Sequence, residues 1–196
     1  MPNRPTRVLT NNVTDSSTVV EVDVLTFDRL WSAYPSGIDH ITPDTGEEIF
    51  SNRCAVHVSE ALYRCGVKLA SFRGTRCWSC PTPEGGKGIH AIRAQELADY
   101  LNRRPFAQCP QAQTLTGEEF EDAIWGRTGI VFFKDYWRRG NQQARTGDHI
   151  DLWDGNELAS IGAIETFLRL RFPNAAEWVG TSDLTKSSEV LFWELK

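Results

Sequence analysis

Hydrophobic and polar positions along the chain change period once, near residue 126, and that change divides a helical first half from a stranded second half. In "TFDRLWSAYPSG" Phe27, Leu30, Trp31 and Tyr34 recur at helical spacing before Pro35 and Gly37 stop the run, which predicts a short first helix with an aromatic core face. Asn52 then reads as an N-cap, and Ala55, Val58, Leu62 and Cys65 share one face of a second helix that Gly66 ends. Residues 71 to 90 carry Gly, Pro, Ser and Cys and read as a long loop. "AIRAQELADYLNRRP" reads as a third helix closed by Pro105, and "TGEEFEDAIW" opens with Thr116 three residues before Glu119, a capping-box pattern.

After Gly126 the texture is that of strands. "GIVFFKDYW" is an apolar run rich in β-branched and aromatic residues, "GDHIDLWDGNELASI" alternates as a hairpin does, and "SEVLFWELK" resembles a closing strand. Between the last two, "IGAIETFLRLRFP" reads as a helical insertion ended by Pro173. Helices early and an antiparallel meander late predict an α+β fold, with a helical N-terminal half packed on an antiparallel sheet. Residues 1–20, rich in Thr, Asn, Ser and Pro without periodicity, predict a flexible or edge segment, and order is expected to begin near Val22, giving a single domain over 21–196.

Composition narrows what such a domain does. The chain has 196 residues, enough for one sizeable core, with 40% hydrophobic and 24% charged residues. No apolar run approaches the roughly 20 residues needed to span a bilayer, so membrane insertion is excluded. Net charge is -5 and the basic residues are scattered, so there is no stripe to follow a phosphate backbone and nucleic acid is not an expected partner. The first 20 residues lack the continuous apolar segment and small-residue cleavage site of a secretory signal.

Five cysteines, at 54, 65, 77, 80 and 109, leave one thiol over even in a fully oxidised monomer, and Cys54 is the candidate. Cys77 and Cys80 form a CxxC that a zinc half-site, a redox pair or a structural disulfide would each explain. No second CxxC or HxxxH completes a zinc site, and the Gly/Pro-rich setting lacks the strand of a thioredoxin-like motif, so a disulfide or a pair of inert thiols is the expectation.

Cys54 opens the second helix, where unpaired N–H groups and the helix dipole favour a thiolate. A buried cysteine is also an ordinary core residue, so position alone does not make it a nucleophile. A nucleophilic cysteine needs a base, and four histidines are present. His40 lies in a turn-rich region, His90 beside a glycine-rich loop where a surface or capping role is expected, and His57 on the flank of the same helix as Cys54. His149 differs because it lies in the strand pattern "DHIDLW", where a rigid sheet can present it to a helix start. A two-residue turn at Asp154-Gly155 would pair Trp153 with Asn156, Asp151 with Leu158 and His149 with Ser160. Ser160 would then orient the imidazole by geometry, whereas Asp151, two residues along on the same face, would do so by charge.

A cysteine opening a helix and a histidine on a later antiparallel strand follow the papain-like order of NlpC-type cell-wall peptidases. "NRCAVHVSEAL", "GDHIDLWDG" and "SSEVLFWELK" resemble the type VI secretion amidase effectors of the fourth family over roughly residues 25 to 196. The resemblance implies a papain-like amidase, without metal or cofactor, that cuts peptidoglycan stem peptides between D-glutamate and meso-diaminopimelate, with Cys54 as nucleophile and His149 as base. It implies cytoplasmic synthesis without a signal peptide, delivery by the secretion machinery to a target bacterium's periplasm, and a cognate immunity protein. Related enzymes carry an acidic or polar orienter eleven or twelve positions after the histidine, and here that span offers only Ser160 and Ile161. Asp151 is therefore the first choice for third residue, with Ser160 as the alternative.

Carboxylate-bearing stem peptides would suit a groove lined by Trp78 and Arg53, with Arg73, Arg76, Arg138 and Arg139 as further candidates or solvated surface residues. Two other readings compete: a cysteine protease or acyltransferase acting on proteins, and a non-catalytic binding module in which Cys54 and His149 are core residues.

Overall fold

The structure is a computed structural model that describes residues 6–10, 18–22, 24–35, 52–78, 88–138, 144–162 and 183–196. Its elements run β1 (Thr6–Thr10), β2 (Thr18–Val22), α1 (Phe27–Ser32), α2 (Cys54–Arg64), α3 (Ala94–Asn102), β3 (Gln113–Leu115), α4 (Phe120–Ile124), β4 (Gly129–Arg138), β5 (Arg145–Trp153), a 3-10 turn (Leu184–Lys186) and β6 (Glu189–Glu194). Strands β3, β6, β4 and β5 form one antiparallel sheet in that order, so the fold is α+β as the pattern predicts. His40, Cys80, Arg139 and nearly all of the helix expected over "IGAIETFLRLRFP" lie outside the described residues.

The sheet explains why its central strands read as continuous apolar runs. Along β4, Ile130 and Phe132 join a core with α2 and α3, while Val131 and Phe133 join a second core with Phe120 and Ile124 of α4 and Leu184 of the 3-10 turn. Along β6, Leu191 and Trp193 fall in the first core and Val190 and Phe192 in the second. Alternation by two persists, but both faces are covered, so hydrophobic residues occupy both phases. Each large side chain fully buried in this way contributes roughly 1.5–3 kcal/mol of transfer free energy.

The second helix begins and ends as its sequence dictates, with one shift at the start. Arg53, rather than Asn52, occupies the capping position, and Asn52 Oδ1 accepts the Cys54 N–H from one residue further out at 3.4 Å. At the other end Gly66 adopts a left-handed φ of 86°, the conformation that lets a glycine terminate a helix. The capping box is present: Thr116 Oγ1 accepts the Glu119 N–H at 3.3 Å, and Glu119 Oε2 accepts the Thr116 N–H at 3.3 Å.

Near the N-terminus β1 pairs antiparallel with β2, from Thr6↔Val22 to Thr10↔Thr18. Two features differ from expectation. The three-residue β3 is too short to carry a period and was not legible, yet it pairs with β6 at the sheet edge. The two-residue turn at Asp154-Gly155 does not form. Asp154 Oδ1 instead accepts the N–H groups of Asn156 and Glu157 at 2.9 and 2.8 Å, the loop lengthens to Asp154–Glu157, and Trp153 pairs with Leu158. That slip decides what Ser160 touches.

Candidate active site

β5 is the outermost strand of the sheet, and α2 packs against it. Ile150 and Leu152 of β5 lie in the helix-side core, so the alternate residues His149 and Asp151 share one face. His149 pairs with Phe133 and Asp151 with Val131 across the ladder to β4, which fixes both backbones rigidly. Cys54, 7% exposed in the first turn of α2, comes within hydrogen-bonding reach of the His149 side chain. The sheet and the helix start thus bring together two residues that are far apart in sequence.

The histidine is oriented by charge. His149 Nε2 lies 3.2 Å from Asp151 Oδ2, which leaves Nδ1 as the ring nitrogen available to the Cys54 thiol. Burial alone would lower the affinity of this imidazole for a proton; Tyr136, the hydrogen bond to Asp151 and the neighbouring Cys54 outweigh it, and its pKa stands well above the usual histidine value. Asp151 is wholly buried, and burial pushes its pKa up, but the His149 hydrogen bond and charge, the Ser160 hydroxyl and the Leu152 N–H together bring it below the usual carboxylate range. Asp151 is therefore an anion at neutral pH and His149 favours the cation.

Ser160 and Asp151 are not alternatives. Because of the longer turn, Ser160 lies beside Asp151 instead of opposite His149, donating through Oγ at 2.5 Å and through its backbone N–H at 3.1 Å to Asp151 Oδ2. The Leu152 N–H donates to Asp151 Oδ1 at 2.9 Å. The order Ser160, Asp151, His149, Cys54 is a continuous chain of polar side chains in which the serine supports the carboxylate and the carboxylate supports the ring.

Two aromatic neighbours were not legible as site residues. Tyr34, read as part of a helical core face, lies just beyond the end of α1, with its hydroxyl buried and without a well-formed hydrogen bond. Burial first, then the Asp151 carboxylate and the Cys54 side chain, hold this phenol protonated above the ordinary tyrosine range. Its ring meets His57 edge-on at 5.7 Å, so His57 lies behind the site on the helix flank. Tyr136, from β4, packs against His149 at 6.2 Å between ring centroids. No period in the sequence distinguishes these tyrosines from core aromatics.

The remaining candidates divide. Trp78 is 70% exposed, and Arg53, next to Cys54 in the chain, is half-buried. Arg76 does not line a groove: its guanidinium donates to the carbonyls of Leu69 and Phe72 and lies over the Phe72 ring, so it fastens the loop after α2. His90 is neither a surface nor a capping residue. It is buried before α3 and bonded to Glu60 of α2 at 2.6 Å. Cys77 is disulfide-bonded, whereas Cys54, Cys65 and Cys109 are in no disulfide, in line with a structural bond at the CxxC.

A thiol, an imidazole and a buried carboxylate thus lie next to one another at the meeting of α2 and β5. Residues 50–193 match the family described as type VI secretion system (T6SS), amidase effector protein 4, Tae4, and the chain belongs to that family. It is thus an amidase effector of the type VI secretion system, a hydrolase by class. No curated protein matches the chain. Among the described residues, no helix is long and apolar enough to cross a membrane.

Proposed function

We propose that this amidase hydrolyses peptidoglycan stem peptides by cysteine catalysis, with Cys54 as nucleophile, His149 as general base and acid, and Asp151 as the residue that orients His149. The observation that carries the reading is the placement of one imidazole between two partners: Asp151 at 3.2 Å from Nε2 and the Cys54 side chain within hydrogen-bonding reach. Cys54 gives its thiol proton to His149 as its sulfur attacks the scissile carbonyl, and the carbonyl π electrons move to oxygen. The tetrahedral adduct collapses to a thioester as the C–N bond breaks, and His149 gives that proton to the departing amine. Water then adds to the thioester with His149 taking its proton, the C–S bond breaks, and the carboxylic acid leaves as His149 returns the proton to the Cys54 sulfur.

The Cys54 N–H is the natural first donor to the oxyanion. In the resting site it meets Asn52 Oδ1 at the long distance of 3.4 Å, a bond weak enough for a developing oxyanion to displace. The bond cleaved is, by family resemblance, that between D-glutamate and meso-diaminopimelate. An α+β arrangement in which a helix start meets an antiparallel sheet supports this reading, and the exposed Trp78 would give such a substrate an aromatic wall. Action in the periplasm of a target bacterium follows from delivery by the secretion machinery, and a cognate immunity protein would protect the producer.

Digestion of defined muropeptides, followed by mass spectrometry, tests the reading. The parent chain should release the D-glutamate fragment and the diaminopimelate fragment, and Cys54→Ala should release neither. Equal cleavage by both chains would remove cysteine catalysis. Cleavage of protein substrates with intact muropeptides would move the activity to a cysteine protease.

A further inference from the structure

The strand opposite His149 is not regular. Phe133 pairs with His149 and Trp137 with Gly147, so β4 spends two more residues than β5 over this interval. The excess is taken up around Asp135, whose left-handed φ of 52° is a conformation that aspartate tolerates better than most residues. Both neighbouring strands hold the bulge. The Asp135 N–H donates to Asp148 Oδ1 on β5 at 3.1 Å. From the residue preceding β6, the Ser188 N–H donates to the Lys134 carbonyl at 2.9 Å and Ser188 Oγ to Asp135 Oδ2 at 3.3 Å. Gly147 makes room for it, since a Cβ there would collide with the Trp137 indole.

The bulge has one consequence at the site. In a regular strand Tyr136 would share the phase of Ile130 and Phe132 and point into the helix-side core. It lies instead in the second core with Phe133, only 7% exposed, against His149. Ring centroids are 6.5 Å apart for Phe133 and His149, 6.2 Å for Tyr136 and His149, and 6.3 Å for Phe133 and Tyr136, so the three rings form a nearly equilateral cluster. Phe133 stacks on the imidazole at 26° and Tyr136 is tilted at 59°. Bulges beside active sites commonly re-aim one side chain in this way.

We infer that Tyr136 is a positioning residue, turned by the β4 bulge so that its ring and that of Phe133 fix the rotation of His149, with Nε2 on Asp151 and Nδ1 toward Cys54. The inference rests on the cysteine-catalysis reading above and adds a device to it. The titratable groups facing His149 are Cys54 from α2, Asp151 from β5 and Tyr136 from β4, with Tyr34 behind Asp151 and Cys54.

The test reads the His149 ring directly. Imidazole resonances of the full chain are titrated in the parent, Tyr136→Phe, Tyr136→Leu and Cys54→Ala, and turnover of a muropeptide is measured alongside. Tyr136→Leu should lower the His149 titration midpoint by about half to one pH unit and lower kcat about 10-fold or more with KM little changed. Tyr136→Phe, which keeps the ring but not the hydroxyl, should restore most of kcat. If Tyr136→Leu does not fold, Tyr136→Met, whose unbranched side chain adapts better to the space the ring leaves, takes its place. An unchanged midpoint and kcat in the leucine variant would overturn the inference, as would a phenylalanine variant as impaired as leucine. If His149 in the parent is indifferent to Cys54→Ala, the failure lies in the pairing of Cys54 with His149 and not in Tyr136.

Discussion

Two buried histidines each meet a carboxylate, and they are tuned in opposite directions. His90 lies 2.6 Å from Glu60, and His149 lies 3.2 Å from Asp151, so the shorter contact belongs to the pair that faces no candidate nucleophile. Burial pushes His90 below the usual histidine value, and although Glu60 opposes this, Arg64 sits on the same carboxylate and reinforces it. Among the described residues no cation opposes the proton at His149: Tyr136, Asp151 and Cys54 all favour it and overcome burial. The neutral His90 donates to Glu60 and fastens the segment before α3 to α2, aided by Ser59 Oγ, which accepts the Ala91 N–H at 3.0 Å. A close carboxylate therefore does not by itself make a histidine a base; what else shares that carboxylate decides.

The comparison can be broken most directly by deleting each ring. His149→Ala should lower kcat of the folded fraction by about 10²–10⁴-fold or more, at a stability cost that the Ser160 and Leu152 donors to Asp151 hold to about 1–3 kcal/mol. His90→Ala should cost about 1–3 kcal/mol of stability by removing the bond that fastens the segment before α3 to α2, with kcat of the folded fraction within about threefold of the parent. Denaturant melts beside initial rates separate these outcomes, and equal loss of kcat in both folded variants would remove the distinction.

The carboxylates sharpen it. Asp151→Asn should lower kcat about 10²–10⁴-fold by allowing the wrong imidazole tautomer, whereas Glu60→Gln should leave kcat near the parent value. Smaller again is Ser160→Ala, because Asp151 retains the N–H groups of Ser160 and Leu152; a loss of about 3–10-fold in kcat, without change in KM, is expected. A loss as great as that of Asp151→Asn would make Ser160 the principal orienter.

The smallest effect is in the pH dependence of stability. His90 and Glu60 have lowered folded values, so their contributions are present above the unfolded values, near 6.5 and 4.5, and fade as pH falls through the folded ones. His149 has a raised value, so its contribution is complete below about 6.5 and fades as pH rises toward the folded value. Urea midpoints for His90→Gln should flatten the acid side of the profile, and those for His149→Gln the alkaline side. The same side flattening in both variants would contradict the opposite tuning.

Much of this arrangement was legible because local chemistry suffices for it. Gly66 stops α2, Thr116 and Glu119 cap α4, and the runs in β4 and β6 are strands whose two phases are both apolar. Cys54 and His149 were legible as candidates from a helix start and a strand pattern, and the structure brings them together. The hairpin register was not. Asp154-Gly155 carries the signal of a tight turn, but the Asp154 side chain satisfies two N–H groups of a longer one, and Ser160 moves from His149 to Asp151. His90 looked like a loop residue because its partner, Glu60, is thirty positions away.

By itself the sequence determined the elements and their amphipathic faces, since helix caps, glycine stops and hydrophobic period depend on residues within a turn or two of one another. Only the tertiary structure decided which histidine lies beside Cys54, that Ser160 bonds to Asp151 and Asp151 to His149, and that a bulge places Tyr136 against the ring. Those outcomes depend on packing between distant segments and on the sum of burial and charge at a point, and neither quantity is a property of a neighbourhood in the chain.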